Sequence, residues 1–294
     1  MRFGVHLVAA GKVIEGEKIA RLARRAEELG YDSVWVSDHI IFPTVLRSPY
    51  PYSPDGKLPL DPTLPLLEPF TVLSYAAAVT KTVKLGTSVA IVPYRDPIVT
   101  AKIVSSLDVL SGGRFIFGVG VGWLEEEFRV LRQNLKDRAA QTKEALLAMK
   151  ACWTQEDPEF HGKFFDFSGI KFAPKPVQKP YPPIWFGGNS LPALKRAVEQ
   201  GDGWHSVWMT PEEIANTAKT LRELCAKAGK DFAKFPLTIN VNHKVPLTVE
   251  NVKKYEEAGI SMMFIPRYFG VDADEIVKGM EQFAKDVKEP VERG

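Results

Sequence analysis

Cysteine is almost missing from this chain: only Cys152 and Cys225 occur in 294 residues, each inside a helical pattern. A disulfide framework or a zinc ribbon therefore has nothing to be built from, and both thiols read as reduced and structural. No apolar run reaches eighteen residues, so no membrane-spanning helix is expected. The opening MRFGVHLVAAGKV lacks a charged segment leading into an apolar stretch and a cleavage site. Phe3–Val8 is too short for a signal and reads as a strand, which points to a cytoplasmic protein. Charge of one sign is scarce as well: 38 Lys and Arg against 36 Asp and Glu leave a net +2, interspersed along helical patterns, so a nucleic-acid footprint is not expected. The first strand carries no HxH pair and HExxH does not occur, which removes the common metal-hydrolase patterns and leaves no metal site to assign. Matched carboxylates at the ends of the fourth and seventh strands are missing, which weakens a glycosidase reading. Phosphate-binding glycines are missing after the seventh and eighth strands, Arg267 and Tyr268 standing there instead.

What the chain has is rhythm. At 45% hydrophobic and 25% charged residues it can bury a large core. β-Branched runs at Phe3–Val8, Ser33–Val36, Val83–Ile91, Phe115–Val119, Pro183–Phe186, Gly203–Val207, Leu237–Val241 and Met262–Pro266 alternate with helical patterns. The helical patterns are Glu17–Leu29, Leu67–Val79, Ile98–Leu110, Leu124–Trp153, Leu191–Glu199, Pro211–Ala228, Val249–Ala258 and Asp272–Val287. Eight strand–helix units predict an α/β fold, a closed (β/α)8 TIM barrel forming one domain over residues 1–294; an open doubly wound sheet usually needs fewer units. Two segments break the rhythm. Phe42–Pro69 holds eight prolines and reads as a long loop on the C-terminal face, either a lid or substrate wall or a packing or dimer contact. Phe160–Pro183 reads as a short hairpin with an extended return, inserted before the fifth strand.

Chemistry in such folds sits at the C-terminal strand ends. Asp38–His39 follows the second strand; an acceptor beside a histidine fixes its tautomer and raises its basicity, so His39 can exchange a proton with Asp38 as its neighbour, or it is a satisfied structural histidine. His6, His205 and His243 also lie near strand ends without local distinction, and His161 falls in the insertion, exposed. In GTSVAIVPYRDP, Gly86, Thr87 and Ser88 interrupt a β-branched strand, as expected where a planar ligand lies against the backbone; barrel taper explains them equally. GVGVGW carries Gly118, Gly120 and Gly122, but Trp123 stands where a dinucleotide fingerprint needs another glycine. FGGNS follows the fifth strand and opens the fifth helical segment with Asn189 or Ser190 as cap. The N–H groups of Gly187, Gly188 and Asn189 would then face an anion, or the segment is a tight turn without a ligand.

Together SDH after the second strand, GTSV in the third, GVGVGW…EEF after the fourth, IWFGG after the fifth and DGW at the sixth resemble the luciferase-like monooxygenase superfamily, within it the branch using the deazaflavin coenzyme F420. The resemblance covers essentially the whole chain. It implies a TIM barrel, usually a homodimer, that holds F420 or flavin mononucleotide (FMN) at the C-terminal face. It places a non-proline cis peptide between Ser88 and Val89 behind the cofactor ring, Val121 and Gly122 near the ring, and the phosphate at Gly187, Gly188 and Asn189. His39 matches the base proposed for a sugar-phosphate dehydrogenase of the branch, with Asp38 beside it. Trp123 replaces that enzyme's glutamate, and Glu125 and Glu126 are expected to face solvent, so sugar-phosphate oxidation is not implied.

The leading expectation is an F420-dependent oxidoreductase passing a hydride between the deazaflavin and a small organic substrate. Its rivals are an FMN-dependent monooxygenase of the luciferase-like type and a non-catalytic flavin-binding barrel. Arg47, Lys57 and Arg95 are expected at the rim, where they would meet the acidic tail of F420.

Overall fold

The computed structural model describes residues 1–58, 61, 63–241, 245–265 and 271–293. Strand β1 (Arg2–His6) leads into helix α1 (Gly16–Glu28), whose Ile19, Leu22, Ala23 and Ala26 form one buried stripe at helical spacing. Then follow β2 (Ser33–Val36), α2 (Pro69–Val79), β3 (Lys84–Thr87), β4 (Ala90–Ile91), α3 (Pro97–Leu110) and β5 (Phe115–Gly120). Helices α4 (Glu125–Val130) and α5 (Arg138–Thr154) precede a two-strand hairpin, β6 (Phe160–His161) and β7 (Asp166–Phe167). The chain continues through β8 (Ile184–Gly187), α6 (Leu191–Gln200), β9 (Gly203–Val207), α7 (Pro211–Lys227), β10 (Leu237–Asn240), α8 (Val249–Glu257), β11 (Met262–Ile265), α9 (Ala273–Phe283) and α10 (Glu289–Arg293).

Every neighbouring pair in the main sheet is parallel, and β3 pairs with both β2 and β5 while β1 pairs with β11, so the sheet closes. Counting β3 and β4 as halves of one interrupted strand, this is an eight-stranded parallel barrel inside a ring of helices, the (β/α)8 form expected. Caps fix where helices start: Asp96 accepts from the N–H groups of Ile98 and Val99 ahead of Pro97, and Thr210/Glu213 and Asp272/Glu275 form reciprocal capping boxes.

The barrel interior is plugged by Trp35, Trp185, Phe264, Met262 and Ile116. Trp35 stacks on Trp185 with ring centroids 5.5 Å apart. A Cβ on Gly86 would lie 2.2 Å from the Trp35 ring, and one on Gly118 would lie 1.8 Å from the Thr87 carbonyl. Both glycines therefore serve packing inside the barrel rather than ligand approach.

The third strand breaks at Ser88–Val89, whose peptide is cis, as the resemblance implied. Two boundaries differ from expectation. The pattern from Leu124 to Trp153 is two helices, because Arg132 turns left-handed (φ 59°) and Asn134 caps a fresh start by accepting from Lys136 N–H. The first strand ends at His6, after which Leu7–Ala9 runs on outside the strand and Ala10 makes an isolated antiparallel bridge with Leu66. Pro266, Arg267, Tyr268 and His243 lie outside the described residues. No helix among those described is long and apolar enough to cross a membrane.

Candidate active site

A cleft of about 720 Å³ opens at the C-terminal ends of the strands. Strand ends supply its floor (His6, Ser88, His205, Asn240), and the long loop supplies one wall (Phe42, Tyr50, Tyr52, Leu58). The loop is held there by two consecutive carboxylates of α4. Glu126 accepts hydrogen bonds from the N–H groups of Arg47 (2.6 Å) and Ser48 (3.1 Å) and from the Ser48 hydroxyl (2.6 Å), which corrects its expected solvent-facing position. Burial pushes the Glu126 carboxyl up, but those hydrogen bonds outweigh it and bring its pKa down to about 2.

Glu127 is fully buried and accepts four hydrogen bonds: from His39 Nδ1 (2.8 Å), the Tyr94 hydroxyl (2.8 Å), Ile40 N–H (2.6 Å) and Ile41 N–H (3.1 Å). Burial raises its pKa, but the bond to His39, its charge and the two backbone donors prevail, so the group is held below the ordinary carboxylate range. Tyr94 moves the other way, raised by burial and then by the Glu127 charge. A carboxylate only accepts, so His39 donates through Nδ1, and in the neutral ring the lone pair is on Nε2. His39 lines the cleft, against Phe42 (4.7 Å) and Trp123 (6.3 Å).

Asp38 is not the partner of His39. Its carboxylate takes a two-point bond from Arg95 (2.7 and 2.9 Å) and a third from Ile91 N–H (2.9 Å). Consecutive side chains leaving an extended strand end diverge, so the two neighbours in sequence reach different partners. Arg95 also bonds Glu68 (2.9 Å) and is itself half-buried, with both partners drawing it inward, so it is no free rim cation. Arg47 and Lys57 are exposed on the loop.

The glycine turn also differs in detail. Gly188 N–H donates to the His205 carbonyl (3.2 Å), and the Asn189 side chain clamps Val207 through its N–H (3.1 Å) and carbonyl (2.7 Å). The Gly188 N–H therefore does not face outward as expected, and the Asn189 side chain ties the turn to β9 instead of capping the helix. Ser190 is the N-cap of α6 and makes no capping bond with its side chain; it lines the cleft with Gly187, Gly188 and Asn189. Arg138 and Arg196 line the same cleft. The Arg196 Nε is buried and lacks a hydrogen-bond partner among the described residues, and burial followed by the Arg138 charge lowers the Arg196 pKa. Two cations beside a helix N-terminus are a place for an anion, so a cofactor phosphate fits here. Ser88, Val89, Val121 and Gly122 line the cleft together. Gly122 has φ +81°, and a Cβ there would strike Phe128 at 2.5 Å, so only glycine suits the turn.

Glu127, Tyr94, Arg138 and Arg196 were not singled out by the sequence reading. For Glu127 a signal existed: it shares the apolar stripe of Leu124, Phe128 and Leu131, where an unpaired carboxylate has no reason to be.

The sequence profile described as luciferase-like monooxygenase matches residues 1–278. The chain belongs to that family. An uncharacterized protein of Mycobacterium tuberculosis is 31% identical over 273 residues, covering 90% of this chain and 93% of the relative. Among solved structures, this luciferase-like barrel is similar to an F420-dependent secondary alcohol dehydrogenase in complex with an F420–acetone adduct (TM-score 0.77, 20% identity, 98% of each chain). It is also similar to the oxygenating constituent of 3,6-diketocamphane monooxygenase from Pseudomonas putida in complex with FMN (TM-score 0.72, 17% identity, 98% of each chain).

Proposed function

We propose that this luciferase-like protein is an F420-dependent oxidoreductase that exchanges a hydride between the deazaflavin and a small organic substrate bearing a hydroxyl or carbonyl group. The observation that carries the reading is the His39–Glu127 pair. A histidine whose Nδ1–H is fixed by a buried carboxylate offers Nε2 to remove the hydroxyl proton as the carbon loses hydride, or to return it in the reverse direction. Glu127 stabilises the imidazolium so formed, and Tyr94 with the Ile40 and Ile41 N–H groups keeps that carboxylate ionised. Arg138, Arg196 and Ser190 would hold the cofactor phosphate, and Ser88, Val89, Val121 and Gly122 would flank its ring. A bound deazaflavin supplies two-electron hydride chemistry and reacts sluggishly with oxygen, whereas a flavin also activates oxygen. Tyr50, with ring centroids 5.2 Å from Trp123 and 5.8 Å from Trp208, forms an aromatic wall of the cleft.

An FMN-dependent monooxygenase is the second reading. It is favoured by the commitment of Arg95 to Asp38 and Glu68, which leaves Arg47 and Lys57 of the three cations expected to meet an acidic tail. We read the chain as one domain. The homodimer implied by the resemblance belongs to the same proposal: Tyr75 of α2 and Val99, Val109 and Leu110 of α3 are exposed apolar side chains on packed helices. Sedimentation as a monomer would remove it. Titrating the protein with F420 and with FMN at low and high salt tests the cofactor. F420 should bind tighter, with part of its affinity lost at high salt; FMN binding at least as well would favour the monooxygenase.

A further inference from the structure

The phosphate end of the cleft carries a polar group that the proposed function leaves idle, and the long loop supplies it. Tyr52 stands between Pro51 and Pro54 in a turn that bonds to itself: Tyr50 N–H donates to the Gly56 carbonyl (2.7 Å), Gly56 N–H to the Ser53 carbonyl (3.2 Å) and the Ser53 hydroxyl to the Lys57 carbonyl (2.8 Å). Two fixed proline φ angles and these bonds give the Tyr52 ring a set direction, and Tyr50 packs edge-on against it at 5.5 Å. Tyr52 is half-buried in the cleft wall, and its hydroxyl makes no hydrogen bond with another described residue. Its place follows from Gly188: a Cβ put on that glycine would lie 3.7 Å from the Tyr52 hydroxyl and 3.0 Å from the Ala193 Cβ. Ala193 and Arg196, three residues apart, share one face of α6, and Arg138 is near enough to Arg196 to lower its pKa. The hydroxyl therefore lies over the turn that leads into α6, at whose start Ser190 and Arg196 line the cleft. Burial, and after it the neighbouring Tyr50, pushes the hydroxyl up to about 12, so it stays protonated and has a hydrogen to give.

We propose that Tyr52 is a phosphate ligand: its hydroxyl donates to an oxygen of the phosphate held by Arg138, Arg196 and Ser190, so that the bound phosphate fastens the long loop over the cleft. The ligand class is a phosphate ester on a chain attached to a flat ring, and the loop is then a lid whose closure depends on that ester. This rests on the reading that the cofactor phosphate sits at the start of α6. FMN presents a monoester there and F420 a diester, the same acceptor chemistry from two sources.

Ligand pairs that differ only in the phosphate test this: FMN against riboflavin, and the ribityl deazaflavin core of F420 with and without a 5′-phosphate. The pair that wild type binds more tightly identifies the source. Tyr52→Phe keeps the ring and loses the donor, so it should weaken the phosphorylated member about tenfold, the size of one hydrogen bond to a charged acceptor, and leave the unphosphorylated member unchanged. Arg196→Gln should weaken the phosphorylated member selectively as well, and does so without touching the loop. In limited proteolysis of wild type, the phosphorylated ligand should slow tryptic cleavage after the exposed Arg47 and Lys57 more than its unphosphorylated counterpart does, and the two should protect Tyr52→Phe equally. An equal loss for both members in Tyr52→Phe, or wild-type affinity for the phosphorylated one, overturns the inference. If Arg196→Gln is selective in that case, the phosphate placement stands without Tyr52. Selective weakening with no phosphate-dependent protection overturns the fastening of the loop. A wild type that binds both members of each pair equally, or binds neither, overturns the phosphate placement and this inference with it.

Discussion

Asp38 and Glu127 are both fully buried carboxylates near His39, yet they are opposites in what they hold. Asp38 is closed on Arg95, which packs over the Phe70 ring at 5.2 Å and extends the ion pair to Glu68. In that cluster two carboxylates share one guanidinium, and although Asp38 lines the cleft both of its oxygens are already engaged, by Arg95 and by Ile91 N–H. Glu127 is instead satisfied by neutral donors and one titratable ring, and the ring's far nitrogen is left for chemistry. A buried carboxylate becomes catalytically useful through what it holds in place, and its position in the sequence does not reveal which kind it is.

The contrast can be broken from either side. The largest effect on turnover is expected for His39→Ala, about a hundredfold to ten-thousandfold with little change in cofactor affinity, because general acid–base help is of that size. Steady-state kinetics beside a cofactor titration checks it. Asp38→Ala should instead act on stability: it leaves the Arg95 guanidinium buried without its main partner, which typically costs about 3–5 kcal/mol, measured as a lower denaturation midpoint. Glu127→Gln keeps the shape but removes the charge that supports imidazolium, so turnover should fall about tenfold to a hundredfold, below the full general-base contribution. If Asp38→Ala lowered turnover while Glu127→Gln affected only stability, the two roles would have been exchanged.

Much of this was legible beforehand, and the misses have physical causes. Eight strand–helix units gave the barrel because the periodicity of buried side chains is a local property. The break at Ser88–Val89 was legible only through resemblance. The partner of His39 was misassigned to Asp38 because adjacency in sequence is a poor guide at a strand end, and Glu127, 88 positions away, comes close only once β5 and β2 share a barrel. Arg95 was placed at the rim because its loop is there, but two acidic partners draw it inward. Arg138 and Arg196 lie on helices in mixed-charge patterns, where nothing separates a cation lining a cleft from a solvated one.

The smallest expected effect concerns the loop beside the pair. The depressed Glu126 pKa means that its contribution is fully present above its ordinary value of 4.5 and is lost as pH falls toward about 2. The amide resonance of Ser48 should therefore titrate with a midpoint near 2. A midpoint near 4.5 would mean that the clamp is not formed in solution.

The central claim, that the His39–Glu127 pair serves hydride exchange with a deazaflavin, is most directly tested by following oxidation of reduced F420 by small ketones and aldehydes under anaerobic conditions. The account predicts turnover without oxygen in the wild type, with one alcohol formed per F420 oxidised, and loss of that turnover in His39→Ala. Turnover that requires oxygen and proceeds with reduced FMN but not with reduced F420 would contradict it.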